Sequence, residues 1–305
     1  MVTAPSQSQY ELDPIWRAPI TVGVDEGGRS TSAVLWAAGE SERSGCPLSL
    51  VAAHPGSRKF GRGREDAERD LANLSRRLFL TNLDRRVEAG APLEVLLEAA
   101  GRSSLLVVGR RGWAAARRLL VGSTSLGVAS RSPVPVVVVP DRWVQPTMVA
   151  KPLVVGIVPP CSKDADTIGA FADDEVLRFG FERAASLCVP LMVVAALSTP
   201  APVAWNAARV PRRSENDDAL EARLGAWRAL YPDVEVVART SWKAPQETIL
   251  EAAGVAQLAI VGRTALERHS RHLGRTAEGV LQHAKRPVVV IPTPAPSVPS
   301  SGGYG

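Results

Sequence analysis

The chain has 305 residues and a hydrophobic fraction of 45%, which is ordinary for a globular protein and sufficient for two domains with separate cores. No apolar run approaches the roughly 18 residues of a membrane span, and the polar N-terminus lacks a signal peptide's basic start and apolar core, so we expect a cytoplasmic protein. The net charge of +5 leaves nucleic-acid binding open until the distribution of that charge is considered.

Strands and helices are predicted to alternate along the first half of the chain, after a loosely ordered arm at residues 1–18. The strands are predicted at Ile20–Val24, 48–53, 86–88 and 105–108. The helices are predicted from residue 30 onward with apolar positions Val34, Leu35 and Ala38, then over residues 65–83 and Pro92–Ala100. This order, with continuous apolar strands, predicts an α/β fold with a doubly wound parallel sheet covered on both faces.

Glycines join the last of these strands to a further helix at the spacing G-x2-G-x9-G-S. They are Gly109, Gly112 and Gly122, the last followed by Ser123. Residues 123–125 offer N-cap hydroxyls for a helix through Leu126 and Val128. A glycine loop that enters a helix N-terminus holds anions on backbone N–H groups, so this segment is predicted to bind phosphate.

The same unit occurs twice in the chain. The segments LLEAAG at 96–101, VVGR at 107–110 and PVVV at 135–138 recur as ILEAAG at 249–254, IVGR at 260–263 and PVVV at 287–290. The first strand, ITVGVD at 20–25, matches LVVGIV at 153–158, and the second loop is one residue shorter. The duplication predicts domains at 19–140 and 153–292, a linker at 141–152 and a disordered Pro-, Gly- and Ser-rich tail at 293–305.

The glycine loop, followed by SPVP at 132–135 and the strand Val136–Val139, resembles the nucleotide loop of the universal stress protein family. The repeat makes the resemblance more specific and indicates a tandem two-domain member. The resemblance implies two doubly wound parallel-sheet domains of the adenine nucleotide alpha hydrolase type. It also implies a stress-response regulatory protein that binds ATP, with or without Mg²⁺.

The resemblance further implies an adenosine site at the ends of the first two strands. Asp25 matches the acidic residue beside the adenosine, and the backbone at Ala53 matches the segment that meets the adenine edge. Strand ends are also where ligands lie in open α/β sheets. The alternative for Asp25 is a carboxylate that caps a helix or closes a turn.

The loop residues are assigned by the same resemblance. Gly109 and Gly112 correspond to the glycines near the ribose and phosphates, Gly122 and Ser123 to the pair that grips the phosphates, and Thr124 follows them. For Trp113, within the loop, core packing is favoured over stacking on the ligand.

The second copy departs from this pattern at each point. Val158 replaces Asp25, Ala265 replaces the second glycine, and Gly274 is followed by Arg275 instead of serine. A Cβ at Ala265 obstructs the close approach of backbone to phosphate, so the second loop is predicted to be degenerate.

Cysteines and histidines give no metal or disulfide pattern. Cys46, Cys161 and Cys188 form no C-x2-C pair, and we expect them to be buried or inert thiols. His269 and His272 lie in the second loop without a nearby third ligand, so exposed polar side chains are favoured over metal ligands.

Positive charge is concentrated around the first loop. Residues 99–140 contain no acidic residue and six arginines: Arg102, Arg110, Arg111, Arg117, Arg118 and Arg131. A local positive field favours a small polyanion, whereas a nucleic-acid surface would interleave aromatic residues, and only Trp113 lies here. We therefore expect no nucleic-acid partner. The alternative for each arginine is a solvated surface position.

Three function classes remain: an ATP-binding regulator, a scaffold that binds no nucleotide, and an enzyme related to ATP pyrophosphatases. The third depends on GGRS at 27–30, which lacks the first serine and the aspartate of an SGGxDS loop. No Walker A sequence or recognisable catalytic triad occurs, so no catalytic residue is assigned and slow ATP hydrolysis stays the weakest of the three.

The final strands of the two copies, Val136–Val139 and Val288–Ile291, are the most apolar in the chain. Unpaired apolar edges invite pairing, and the resemblance implies that these strands pair as an internal pseudo-dimer, with homo-oligomers left open. The alternative is that both strands are central and simply buried. The identity of any protein partner is not indicated.

Overall fold

The computed structural model describes residues 18–25, 30–54, 63–78, 80–110, 121–145, 151–157, 167–196, 213–263 and 273–292. Most of the predicted arm and the whole predicted tail lie outside these residues. The chain divides into two compact units. The first comprises Met1–Val149 with Leu281–Val290, and the second comprises Ala150–Val280 with Ile291–Gly305.

The first repeat alternates strands and helices throughout. Its elements are β1 (Ile20–Val24), α1 (Thr31–Ser44), β2 (Leu48–His54), α2 (Arg64–Ser75), β3 (Leu83–Ala89), α3 (Pro92–Ala100), β4 (Leu105–Gly109), α4 (Ser123–Arg131) and β5 (Val136–Val139). The strands are parallel in the order β3-β2-β1-β4-β5. Because parallel crossovers are right-handed, a strand order that reverses at β1 places helices on both faces of the sheet. The reversal also opens a crevice beyond the carboxyl ends of β1 and β4.

The second repeat has the same order of elements. They are β6 (Leu153–Ile157), α5 (Thr167–Leu187), β7 (Leu191–Ala196), α6 (Arg213–Leu230), β8 (Val236–Ser241), α7 (Pro245–Ala253), β9 (Leu258–Gly262), α8 (Arg275–His283) and β10 (Val288–Ile291). Its parallel strands lie in the order β9-β6-β7-β8. The predicted α/β fold with two doubly wound parallel sheets is therefore confirmed. None of the helices in the described residues is long and apolar enough to cross a membrane.

The last strands pair as the sequence predicts. β10 runs antiparallel to β5, with Val288 opposite Val138 and Val289 opposite Val137. β4 flanks one side of β5 and β10 the other, and its side chains are at most 2% exposed because helices α1 and α4 pack against the strand. β5 is therefore both paired with β10 and buried within the sheet, so the second interpretation of the sequence, a buried central strand, is also correct for β5.

A glycine in the first strand of each repeat permits close helix packing. A Cβ on Gly23 would stand 2.9 Å from Cδ1 of Leu96 in α3, and one on Gly156 would stand 2.5 Å from Cδ1 of Ile249 in α7. Real Cβ atoms do not approach other atoms so closely in well-packed interiors. The duplicated LLEAAG and ILEAAG segments thus hold the same packing position in both repeats.

The helix predicted over residues 65–83 is wrong in its second half. α2 ends at Ser75, and residues 83–89 form β3, longer than the strand predicted over 86–88. β3 is exposed and charged, which is typical of an edge strand, and its backbone pairs with β2 from Leu83 opposite Leu48 onward. Strand pairing therefore accounts only for Leu83. The chain leaves the helix earlier, in a turn where the N–H groups of Arg77 and Leu78 donate to the carbonyls of Leu74 and Ser75.

One prediction about burial also needs correction. Leu35 of α1 is 40% exposed, while Val34 and Ala38 are buried as expected and Trp36 adds to the same core. Cys46 is buried, but Cys188 is exposed. Cys161 lies outside the described residues.

Adding one methyl group at Gly180 is expected to destabilise the second unit. A Cβ there would stand 2.5 Å from Cγ2 of Val155, a stiff β-branched side chain of β6. Overpacking costs about 1–3 kcal/mol and exceeds the helix-propensity gain of about 1 kcal/mol, so we expect Gly180→Ala to lower the free energy of unfolding in urea. Gly225→Ala in α6 is the matched control, because among the described residues nothing stands within 4 Å of its Cβ position. Equal stabilisation of both variants would contradict this packing.

Candidate functional site

The crevice beyond β1 and β4 brings three of the predicted site residues to one edge of the first sheet. Asp25 follows β1 directly, and Gly109 is the last residue of β4, the parallel neighbour of β1. Val24 lies opposite Ala52, so Ala53 is next along β2 at the level of Asp25. Asp25, Ala53 and Gly109 therefore share the edge at which α/β sheets bind ligands.

Asp25 also closes a turn. Its backbone N–H donates to Oγ of Ser30 at 2.8 Å, and the Ser30 hydroxyl donates to Oδ1 of Asp25 at 2.5 Å. Ser30 is 3% exposed and immediately precedes α1. Asp25 is therefore a carboxylate that closes a turn, as one of the two interpretations of the sequence held. Its two bonds to Ser30 fix the orientation of Asp25 at the crevice. Gly27, Gly28 and Arg29 lie outside the described residues.

The two ends of the predicted phosphate loop meet at Arg110. The backbone N–H of Gly122 donates to the Arg110 carbonyl at 2.8 Å, and the N–H of Arg110 donates to the Val139 carbonyl at 2.8 Å. The Ser125 hydroxyl donates to the Gly109 carbonyl at 2.6 Å. Gly109 and Gly122 are therefore held together at the base of the loop. Gly112 and Trp113 lie outside the described residues.

The predicted hydroxyl caps of the following helix are wrong. α4 begins at Ser123, and its N-cap is Gly122 in an extended conformation, with no side-chain hydrogen bond to the cap. Ser125 uses its hydroxyl on the Gly109 carbonyl, while Ser123 is exposed and Thr124 is half-buried. The first N–H groups of a helix have no acceptor within that helix and carry its positive dipole end, so a side-chain-free cap favours an external anion.

Of the six arginines in the predicted field, the structure describes Arg102, Arg110 and Arg131, and two of these pair with carboxylates. Arg102 pairs with Glu98 at 3.1 Å and Arg131 with Glu94 at 3.1 Å, both through exposed carboxylates of α3. The alternative of surface positions is therefore correct for Arg102 and Arg131. Their partners lie just upstream of the acid-free stretch. Arg111, Arg117 and Arg118 lie outside the described residues.

The second repeat retains the strand-end bond of the loop base. The N–H of Arg263 donates to the Ile291 carbonyl at 2.9 Å, which repeats the bond from Arg110 to Val139. Burial lowers the pKa of the Arg263 guanidinium. The N–H of Glu278 donates to the Gly274 carbonyl at 3.0 Å, as the N–H of Leu126 does to Gly122. The bond at the strand end and the first bond of the helix are thus duplicated.

Side-chain chemistry at this base is not duplicated. The position of Ser125 is taken by the buried Ala277, which has no hydroxyl to donate to the strand end. Arg275 begins α8 where Ser123 begins α4, and a cation is unfavourable at a helix N-terminus. Sequence reasoning missed Ala277, although aligning the two repeats through their loop glycines would have found it. Val158, Ala265, His269 and His272 lie outside the described residues.

Two further cavities in the described residues lie away from this crevice. A cavity of about 360 Å³ lies between α6 and β8, lined in part by Asp217, Arg239 and Thr240. A second, of about 330 Å³, lies between α2 and β3 beside Arg64 and Arg85. No group of three or more metal-ligating side chains occurs within the part of the chain that the structure describes.

Comparisons with known proteins agree with the fold and the repeat. The sequence pattern of the universal stress protein family matches residues 17–140 and again 170–292. A universal stress protein of Mycolicibacterium smegmatis is 28% identical over 299 residues, covering 89% of this chain and 96% of its own. One from Mycobacterium tuberculosis is 26% identical over 292 residues, covering 89% and 95%. The crystal structure of a universal stress protein from Archaeoglobus fulgidus shares the fold, with a TM-score of 0.67, 17% identity and coverage of 92% and 97%.

Proposed function

Because the chain belongs to the universal stress protein family as a tandem member, we propose that it is a cytoplasmic stress-response regulator that binds ATP through its first unit. The observation that carries the proposal is the loop base, where Gly109 and Gly122 meet beside a helix N-terminus without a side-chain cap. This arrangement presents backbone N–H groups to phosphate at the reversal point of a parallel sheet.

The residues divide by the part of the nucleotide that each meets. Asp25 accepts hydrogen bonds from the ribose side of the adenosine, and the backbone at Ala53 meets the adenine edge. Gly109 and Gly112 leave room for the ribose and the first phosphates. The backbone at Gly122, Ser123 and Thr124 donates to the outer phosphates, and Mg²⁺ enters with ATP rather than through a protein site of its own.

Titration of nucleotide-free protein with ATP is expected to give one site per chain. The first loop keeps the Ser125 bond and an uncharged helix start, whereas the second has Ala277 and Arg275 in their places. Isothermal titration calorimetry measures the stoichiometry, with cAMP as a second probe of the phosphate arrangement. Two equivalent sites, or no heat from either nucleotide, would contradict the proposal.

A scaffold that binds no nucleotide is the second candidate. The bonds from Asp25 to Ser30 favour it, since they give that carboxylate a structural task without any ligand. Denaturing the purified protein and analysing released nucleotide by chromatography separates the two candidates. Stoichiometric ATP supports the regulator, ADP formed on incubation indicates slow hydrolysis, and the absence of nucleotide together with a flat titration supports the scaffold.

Two further parts of the proposal concern partners. We propose that the chain binds no nucleic acid, because the described arginines Arg102 and Arg131 are paired with carboxylates. The pairing of β5 with β10 favours an internal pseudo-dimer over a homodimer through the same strands, because both strands are already occupied.

A further inference from the structure

The side chain of Arg110 leaves the loop base and reaches the end of the chain's second repeat. Its guanidinium Nη1 donates to the carbonyl of Ala284 at 2.8 Å. Ala284 belongs to Leu281–Val290, here called the closing segment, which is part of the first compact unit. The loop that we propose to bind ATP is thus bonded to a segment more than a hundred residues away in sequence.

The chemistry of this contact makes it a strong one. Ala284 directly follows α8, so its carbonyl lies at the helix end where the dipole is negative and cations are favoured. Ala284 is only 2% exposed. A guanidinium that donates to a carbonyl at a helix C-terminus forms a charge-assisted bond, and this one is partly buried.

The last residues of the closing segment are held by strand pairing. Val288 and Val289 pair with Val138 and Val137 of β5, and all four side chains are at most 2% exposed. A buried antiparallel pair offers a rigid anchor for the carbonyl that Arg110 contacts.

Arg110 therefore joins three parts of the first unit. Its backbone carbonyl holds Gly122, its N–H holds Val139 at the end of β5, and its guanidinium holds Ala284. A movement of the closing segment would pull on the residue that sets the distance between the two ends of the loop. Conversely, a ligand that restrains the loop base at Arg110 and Gly122 would restrain the closing segment, because coupling between two sites is reciprocal.

We propose that Arg110 is a positioning residue that couples occupancy of the nucleotide loop to the order of the closing segment. This rests on the proposed function, since it requires the loop to bind ATP. It also gives the second repeat a task that does not depend on its own degenerate loop, namely to supply the anchor for the first.

The test compares Arg110→Ala and Arg110→Lys with Arg102→Ala in the full chain. Arg102 is the control because it is an exposed arginine of the same unit that pairs with Glu98. ATP affinity is measured by calorimetry, and amide hydrogen exchange of residues 281–290 is measured with and without ATP. We expect Arg110→Ala to weaken ATP binding about tenfold, Arg110→Lys to recover part of that loss, and Arg102→Ala to bind as the parent does.

Hydrogen exchange distinguishes coupling from a general loss of stability. In the parent chain ATP is expected to slow exchange at 281–290, and in Arg110→Ala this effect is expected to disappear even at saturating ATP. If the parent binds ATP but Arg110→Ala keeps its affinity, or ATP leaves exchange at 281–290 unchanged, the coupling is wrong. If the parent does not bind ATP, the proposed function fails instead. Should Arg110→Ala fail to fold, ATP affinity and hydrogen exchange at 281–290 are compared between Arg110→Lys and the parent instead.

Discussion

Glutamate in place of Gly122 is expected to abolish nucleotide binding by the first unit while leaving its fold intact. Gly122 has φ −61° and ψ 146°, which any residue adopts, so the backbone tolerates a side chain. A carboxylate at this cap would accept hydrogen bonds from the first N–H groups of α4 and occupy the position proposed for phosphate. Like-charge repulsion adds to this exclusion, and we expect affinity for ATP to fall by about a hundredfold or more.

The matched change is Gly274→Glu, at the residue before α8. Because the second loop carries Arg275 and Ala277, it is not expected to bind nucleotide, and this variant should keep the parent affinity for ATP. Calorimetry measures both affinities, and circular dichroism checks that both variants fold. Equal losses in the two variants would mean that the second loop contributes to the site.

The strands that form the two sheets were predictable because their physical pattern is local. β1, α3 and β5 were predicted with the bounds that the structure has. Strands buried on both faces are continuous apolar runs, and a proline followed by an apolar periodic stretch indicates a helix start. The repeat then predicted the second sheet from the first, whereas the pairing of the two final strands was implied by the family resemblance.

The remaining features depend on partners that are distant in sequence. The start of β3, at Leu83, looks like the end of a helix until β2 supplies backbone bonds along the strand. Ser125 looks like a helix cap until the carbonyl of Gly109 is placed beside it, and Arg110 looks like part of a phosphate field until Ala284 is placed within reach. In each case a tertiary hydrogen bond prevails over a local preference, and the chain between the partners gives no indication of it.

These corrections sharpen the candidate site. Because Arg102 and Arg131 pair with carboxylates, we expect backbone N–H groups and the dipole of α4 to contribute much of the attraction for phosphate. Backbone N–H donors have to be placed more accurately than charged side chains, because a hydrogen bond depends strongly on its distance and angle. The bonds that hold the loop base together are therefore the features on which binding should depend most.

Lysine in place of Val137 is expected to cause the largest loss of stability. Val137 is fully buried in β5, between Val107 of β4 and Val289 of β10. An ammonium group buried there without a counter-charge should lower the free energy of unfolding by about 3–5 kcal/mol. We also expect β10 to detach, with a larger hydrodynamic radius or aggregation, because an open apolar edge invites new pairing.

Val144→Lys is the control for this change, because Val144 is 76% exposed and its replacement should alter stability by less than about 0.5 kcal/mol. Urea denaturation and dynamic light scattering measure the two effects. Cysteines introduced together at Val137 and Val289, which lie directly opposite each other, should form a disulfide on oxidation. If Val137→Lys kept the parent radius and melting temperature while the disulfide never formed, β5 and β10 would not be paired in solution, and the anchor that Arg110 requires would be absent as well.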